Sequence, residues 1–150
     1  MTPSDPDFER RTRDSFARQP AMATLGMVLA EVGPGSVVVV TRHRADLTQQ
    51  HGFMHAGVVA TGLDTACGYA AFTLMPAEAG VLTIEFKVNL LAPARGPHLA
   101  FEAEVTKAGR TISVVDAQAY ETAADGSGRK RIATMTATIM TILGRADVRQ

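Results

Sequence analysis

The chain has 150 residues, of which 46% are hydrophobic and 20% are charged, so it can bury a core and does not have the composition of a disordered protein. Lysine plus arginine and aspartate plus glutamate number 15 each, and this balance excludes a global electrostatic attraction to nucleic acid or to a membrane surface. The single cysteine, Cys67, excludes an intrachain disulfide and a cysteine zinc site, and it suits a reducing cytoplasm.

The first part of the chain is predicted to be an N-terminal extension, residues 1–19, ahead of a single domain, residues 20–150. Within the extension, residues 7–18 have the apolar spacing of a short amphipathic helix. Residues 22–32 are apolar and end in the turn sequence GPG, and residues 36–43, with four consecutive valines, have the composition of a strand. These two segments are predicted to form a β-hairpin.

A long apolar helix is predicted next, over residues 55–75, after a polar loop at residues 44–52 and before Pro76. Residues 56–75 reach the length of a membrane span, but they are rich in alanine, glycine and threonine and carry Asp64 near the middle. A charge at mid-bilayer costs about 2.5–3.5 kcal/mol, and no lysine or arginine flanks the segment. We therefore expect a buried helix of a soluble domain.

Four strand-like runs follow the helix, and their sequences are VLTIEFKVNLL, HLAFEAEVTKAG, RTISVVDAQAYET and KRIATMTATIMTIL. In the first run apolar and polar side chains alternate, so the two sets are predicted to face opposite sides of the sheet. The polar set includes Thr83, and the apolar set comprises Ile84, Phe86, Val88 and Leu90.

The connections between these strands, residues 93–97, 108–110 and 124–129, are short, which predicts that consecutive strands are antiparallel neighbours. A single antiparallel sheet has one apolar face to cover, and the only long apolar segment available is the helix. The sequence therefore predicts an α+β domain in which a curved antiparallel sheet wraps around one long central helix, the hotdog arrangement.

Asp64 lies on a stripe of small side chains along the predicted helix. At ~100° per residue, the residues within about 60° of Asp64 are Gly57, Ala60, Thr61, Cys67, Gly68 and Ala71. Such a stripe allows another backbone or a ligand to approach closely. A carboxylate in the middle of a helix can be solvated or capped, but the apolar flanks here favour a functional role.

The start of the helix offers a second functional group. The backbone N–H groups of Ala56 and Gly57 have no partner within the helix and lie at the positive end of its dipole, so they can stabilise a developing oxyanion. His55 is predicted to hold this start by hydrogen-bonding the loop backbone. However, Ala56 and Asp64 are eight residues apart, which is ~12 Å along the axis. Since each contact spans about 3 Å, both groups can act on one carbonyl only if they come from different subunits.

The motif H-A-G at residues 55–57, followed by Asp64, resembles the H-G-G…D signature of the PaaI-like hotdog thioesterases. The runs TACGYAA, TIEFKVNLLAPARG and AGRTISVVDAQ extend the resemblance over residues 20–142. The resemblance implies that Asp64 attacks the thioester or activates water. It also implies that the Ala56 amide polarises the thioester carbonyl and that Gln49 orients the reactants.

Further site residues are implied by the same resemblance. Thr83 matches a position with a hydroxyl near the attacking water, although an exposed strand threonine is the ordinary alternative. The candidates for contacts to coenzyme A, at the AGR turn and the strand after it, are Lys107, Gly109, Arg110 and Thr111, although a solvated hairpin tip is the ordinary alternative and the favoured one for Lys107. The sequence departs from the signature where Ala56 replaces the first glycine. A backbone N–H survives this change, but the added methyl group can narrow the site.

The implied reaction is hydrolysis of an acyl-CoA thioester, with Asp64 either as a general base toward water or as a nucleophile that forms a transient anhydride. Coenzyme A is then part of the substrate, and no separate cofactor is implied. The resemblance also implies a homodimer, paired further into a dimer of dimers. We expect it to act in the cytoplasm, without nucleic acid and without membrane insertion.

Two other functions are possible on the same fold. A hydratase or dehydratase of acyl thioesters would use His55 and Asp64, but QQHGFMH lacks the proline that precedes the catalytic histidine of those enzymes. The second alternative is a non-catalytic acyl-CoA-binding module. His51 and His55 have metal-pair spacing, but there is no H-E-x-x-H motif and no metal site is predicted. Cys67 has no base placed for it and is predicted to be an inert buried thiol.

Overall fold

The computed structural model of the chain describes residues 1–148. Its helices are α1 (Phe8–Ala17), α2 (Pro20–Leu25) and α3 (Ala56–Phe72). Its strands are β1 (Val28–Gly33), β2 (Ser36–Arg42), β3 (Gly80–Leu90), β4 (His98–Lys107), β5 (Ile112–Thr122) and β6 (Lys130–Ile142). The strands form one antiparallel sheet in the order β1-β2-β4-β5-β6-β3, so β1 and β3 are its edges.

Helix α3 lies against the inner face of the curved sheet and forms the core with it. Leu63 and Phe72 of the helix are fully buried, as is Phe101 of β4. A Cβ built on Gly62 would lie 2.4 Å from the Phe101 ring, so only glycine allows this close approach of helix and sheet. This arrangement confirms the α+β hotdog fold. No helix within residues 1–148 is both long and apolar enough to cross a membrane.

The position of β3 differs from the prediction. Consecutive strands were expected to be neighbours, but β3 pairs with β6 and not with β4, so this expectation is wrong for one of the connections. The chain crosses three strand spacings between β3 and β4, or ~14 Å, and residues 91–97 can reach about 24 Å when extended. As a result, β3 has an unpaired edge within the described part of the chain.

The segment before β1 also differs from the prediction. Residues 22–32 were expected to form one strand of a hairpin, but α2 occupies the first part, and β1 pairs with β2 only from Val28. Pro20 occupies the first turn of α2, where its fixed φ favours a helix and its missing N–H costs nothing. The apolar residues that predicted the strand do not by themselves indicate that a helix begins at Pro20.

Helix α1 is fastened to the end of α3 by Arg11. The Arg11 guanidinium lies 2.8 Å from the Asp5 carboxylate and donates to the carbonyl oxygens of Met75 and Pro76. It also stacks over the Phe72 ring, 4.1 Å from its centroid. The N-terminal segment therefore packs directly on the C-terminal half of the helix that carries Asp64. Its division from the rest of the chain at residue 19 stays a prediction.

Candidate active site

Asp64 and Thr83 form a hydrogen-bonded pair at the middle of α3. The carboxylate is half-buried, and its Oδ1 accepts a hydrogen bond of 2.8 Å from the Thr83 Oγ1. Burial raises the pKa of Asp64, and the hydrogen bond from Thr83 opposes this by favouring the ionised form. Among residues 1–148, no cation forms an ion pair with Asp64. The result is a carboxylate that is more basic than usual and has one hydroxyl beside it.

A β-bulge in β3 turns Thr83 toward Asp64. Thr83 pairs with the buried Ile139 of β6, but Glu85 pairs with the next residue along, so Ile84 is an extra residue in the ladder. The bulge puts Thr83 on the same inner face as Phe86. The prediction that Thr83 faces away from the apolar set is therefore wrong, because regular alternation does not hold across a bulge.

The start of α3 is capped by His55. The ring Nδ1 of His55 accepts a hydrogen bond of 2.9 Å from the Gly57 N–H. The ring therefore bonds to the first turn of the helix and not to the loop backbone, as had been predicted. The Gly57 N–H is thereby engaged by His55, and its expected role as an oxyanion donor stays a prediction. The N–H of Ala56 has no partner among residues 1–148, and Ala56 is exposed. Only the Ala56 amide is therefore available at the helix start.

Gln49 lies beside Ala56 in a cleft of about 350 Å³. The Gln49 Oε1 accepts from the His51 backbone N–H, which leaves the side-chain NH₂ group as a donor. The cleft, called here the helix-start cleft, is lined by Gln49, Phe53, Met54, Ala56, Val59, Leu90, Leu91, Ala92, Pro93, Ala94 and Ile132. It holds two donors in mostly apolar surroundings but no carboxylate.

A separate cleft of about 290 Å³, called here the acid cleft, contains Asp64 and Thr83. Its other lining residues are Gln19, Thr65, Gly68, Tyr69, Val81 and Leu82. The two clefts adjoin opposite ends of β3, since Thr83 lines one and Leu90 the other, and seven residues of strand span ~23 Å. The structure thus pairs Asp64 with Thr83 and Gln49 with Ala56, but it does not bring the two pairs together in one chain.

The coenzyme A candidates lie in the turn between β4 and β5. The side chains of Lys107, Arg110 and Thr111 are exposed, and they line neither cleft. A Cβ on Gly109 would lie 2.1 Å from the Ile112 carbonyl oxygen, so the tight turn requires glycine there. The turn lies at the end of the sheet that carries the acid cleft.

The strand register places the β4–β5 turn at the same end of the sheet as the acid cleft. Ser113 of β5 pairs with Ile139 of β6, which pairs with Thr83 of β3, so Ser113 and Thr83 are two strand spacings apart, or ~10 Å. Arg110 precedes Ser113 by three residues. An anionic ligand reaching from the acid cleft past the sheet end would therefore approach Arg110.

Two lining residues of the acid cleft were missed by the sequence analysis. Gln19 comes from the segment between α1 and α2, and Tyr69 follows Asp64 on α3. No motif marks Gln19, because it reaches the cleft only through the packing of the N-terminal segment on α3. Cys67 is fully buried, which confirms its predicted burial, and burial strongly raises the pKa of its thiol, which disfavours the reactive thiolate.

The sheet wrapped around α3 and the half-buried carboxylate on that helix define a hotdog-fold protein of the thioesterase type. Residues 51–123 match the thioesterase superfamily. The solved structure of a thioesterase family protein from Silicibacter pomeroyi is 56% identical, with a TM-score of 0.88, and the match covers 91% of this chain and 99% of that one. The chain belongs to the thioesterase superfamily.

More distant proteins share the fold. The PaaI protein from the phenylacetic acid degradation operon of E. coli is 18% identical with a TM-score of 0.80, over 91% of this chain and 94% of that chain. At this identity the likeness shows the fold alone. A protein of Saccharolobus solfataricus whose name proposes an esterase is 39% identical over 75 residues, and these residues make up 50% of this chain. The chain matches about half of that relative's length, 49%.

Proposed function

We propose that the protein is a cytoplasmic acyl-CoA thioesterase whose active site forms between two copies of the chain. Membership of the thioesterase superfamily supports hydrolase activity. The observation that carries the proposal is the separation of the acid cleft from the helix-start cleft, because each cleft holds half of the groups that thioester hydrolysis uses.

Each half is insufficient by itself. Asp64 can take a proton from water, but the acid cleft lies at the middle of α3, away from the helix start whose free amide and dipole favour a developing negative charge. The Ala56 amide and the Gln49 NH₂ group can stabilise such a charge, but no carboxylate lines their cleft. Combining the acid cleft of one copy with the helix-start cleft of a second copy supplies both functions around one carbonyl group.

Strand β3 supports this pairing. It is an edge strand, and a second β3 can add to its unpaired edge in the antiparallel sense. Antiparallel pairing places the Thr83 end of one strand beside the Leu90 end of the other, which brings unlike clefts together. The large apolar side chains exposed along and after this strand are Leu82, Ile84, Phe86, Leu90 and Leu91. Burial of these side chains against a second copy would stabilise a dimer.

The chemistry can be written for the general-base route. Water attacks the thioester carbon while Asp64 takes its proton, and the carbonyl oxygen becomes an oxyanion held by the Ala56 N–H and the Gln49 NH₂ group. The oxyanion then collapses, the carbon–sulfur bond breaks, and the departing thiolate recovers the proton from Asp64. Attack by Asp64 itself, through an anhydride, uses the same groups and stays open.

The remaining parts of the substrate fit the surroundings of the acid cleft. Arg110 is the exposed cation of the β4–β5 turn that we assign to the coenzyme A phosphates, with Lys107, Gly109 and Thr111 beside it. Pairing of two such dimers into a tetramer stays a prediction. No metal or further cofactor is part of the proposal.

The proposed function is tested by incubating the purified protein with aryl, short-chain, medium-chain and long-chain acyl-CoAs and a thiol reagent. Release of free coenzyme A that depends on Asp64 is the expected result. A change in acyl unsaturation without thiol release would indicate a hydratase, and binding without turnover would indicate a binding module. Either result, obtained across the whole panel, would overturn the proposal.

A further inference from the structure

Gln19 is held in the wall of the acid cleft by Tyr69. The Gln19 Nε2 donates a hydrogen bond of 2.8 Å to the Tyr69 Oη, and the Ser15 Oγ lies 3.0 Å from the same oxygen. Tyr69 is 2% exposed and follows Asp64 by five residues on α3. The side chain of Gln19 is thereby oriented by a buried phenol within the cleft that contains the carboxylate.

Part of the Gln19 amide remains unused. A glutamine side chain has two N–H donors and a carbonyl acceptor, and only one donor is engaged by Tyr69. The Oε1 and the second N–H have no partner among residues 1–148. The lining of the same cleft also includes Val81 and Leu82. An acyl group without polar atoms would cover this amide without pairing it, which is unfavourable.

We propose that Gln19 is a specificity-determining residue whose amide, oriented by Tyr69, hydrogen-bonds a hydroxyl group on the acyl chain of the substrate. This inference rests on the proposed thioesterase function. A hydroxyl can donate to the Oε1 and accept from the free N–H, so it pairs with both unused atoms. A site built to bind a hydroxyl discriminates against the analogue that lacks it, because the protein group is then left unpaired.

This inference gives the N-terminal segment a role in substrate selection. Gln19 lies between α1 and α2, and the Arg11 contacts fasten α1 to the end of α3. The segment therefore places a selective group beside the general chemistry of Asp64 and Thr83. Substrate preference and catalysis would reside in different parts of the chain.

The test compares kcat/KM for butyryl-CoA with the values for 3-hydroxybutyryl-CoA and 4-hydroxybutyryl-CoA. We expect the wild-type protein to prefer at least one hydroxylated substrate by about tenfold, and Gln19→Leu to abolish that preference. Tyr69→Phe, which removes the anchoring hydroxyl, should reduce the preference in the same direction. The matched control is Gln118→Leu, since Gln118 also bonds a tyrosine hydroxyl, that of Tyr120 at 2.7 Å, but on the outer face of the sheet.

The outcomes separate this inference from the proposed function. Hydrolysis of acyl-CoAs with the same substrate ratios in wild type, Gln19→Leu and Tyr69→Phe would overturn the role of Gln19 and leave the thioesterase proposal intact. A uniform change for all three substrates would also overturn it, since Gln19 would then contact the shared part of the substrate or act only on stability. Absence of any hydrolysis would overturn both proposals.

Discussion

Each side of the sheet has an aspartate that accepts hydrogen bonds from threonine, Asp64 on α3 at the inner face and Asp116 on β5 at the outer face, and the pKa values of the two carboxyl groups shift in opposite directions. On the inner face, burial raises the pKa of Asp64 despite the bond from Thr83. On the outer face, bonds from Thr136 at 2.6 Å and Thr106 at 2.7 Å lower the pKa of the exposed Asp116. The same residue types therefore produce a basic carboxylate in one place and a weakly basic one in the other.

The difference shows what distinguishes a candidate catalytic acid from a structural one. Asp116 is exposed and its ionised form is satisfied by two hydroxyl donors, so it has little tendency to take a proton. Asp64 has a single donor and lies in a cleft, so its ionised form is less well stabilised. Hydrogen bonding to threonine is therefore common to both carboxylates, and the proposed role of Asp64 rests on its incomplete satisfaction within a cleft.

The largest expected effect separates these two carboxylates. Asp64→Asn should leave folding intact and lower kcat by at least ~100-fold, the low end for removal of a general base. Asp116→Asn, the matched control, should change kcat less than about twofold because it lies on the outer face. Steady-state kinetics of both purified variants provides the measurement. Near-normal turnover by Asp64→Asn would remove Asp64 from the mechanism.

A smaller effect is expected at Gln49, which belongs to the helix-start cleft. Gln49→Ala should lower kcat by about tenfold, equivalent to one hydrogen bond of ~1.4 kcal/mol, and change KM less, since the bond strengthens in the transition state. Gln118→Ala on the outer face is the control. A rise in KM with unchanged kcat would assign Gln49 to substrate binding instead.

The smallest effect concerns pH dependence. In the proposed mechanism Asp64 acts in its ionised form, so kcat/KM should rise with pH through the raised pKa of this group. The Thr83 bond lowers that pKa, so Thr83→Val should move the acidic limb of the profile to higher pH, with less than about a tenfold loss at its plateau. Thr136→Val, the outer-face control, should leave the profile unchanged. A shift of the Thr83→Val limb to lower pH would contradict the assignment.

Local sequence patterns predicted most of the fold. The small apolar run around Asp64 identified α3, and alternation identified the strands, because both signals depend on short-range periodicity. The neighbours of β3 could not be predicted in this way, since the length of residues 91–97 permits either adjacent pairing or a crossing of three strands. Strand order is a tertiary property that loop length alone leaves open.

The candidate site was predictable to a similar extent. Asp64 stood out as a charge within an apolar helix. The bulge at Ile84 that turns Thr83 inward could not be predicted, because apolar and polar residues alternate in the sequence on both sides of it without a break. The capping of Gly57 by His55 depends on a ring orientation that spacing does not determine. Gln19 reaches the acid cleft through packing between segments that are distant in sequence.

The central claim, that one active site combines the acid cleft of one copy with the helix-start cleft of another, is tested most directly by mixing two inactive variants. One variant carries Asp64→Ala and the other carries Gln49→Ala with Ala56→Trp. Each homodimer has two damaged sites, whereas each heterodimer regains one intact site, so an equal mixture should recover about a quarter of wild-type activity after subunit exchange. If mass-tagged subunits exchange and no activity returns, the site lies within one chain and the account is wrong.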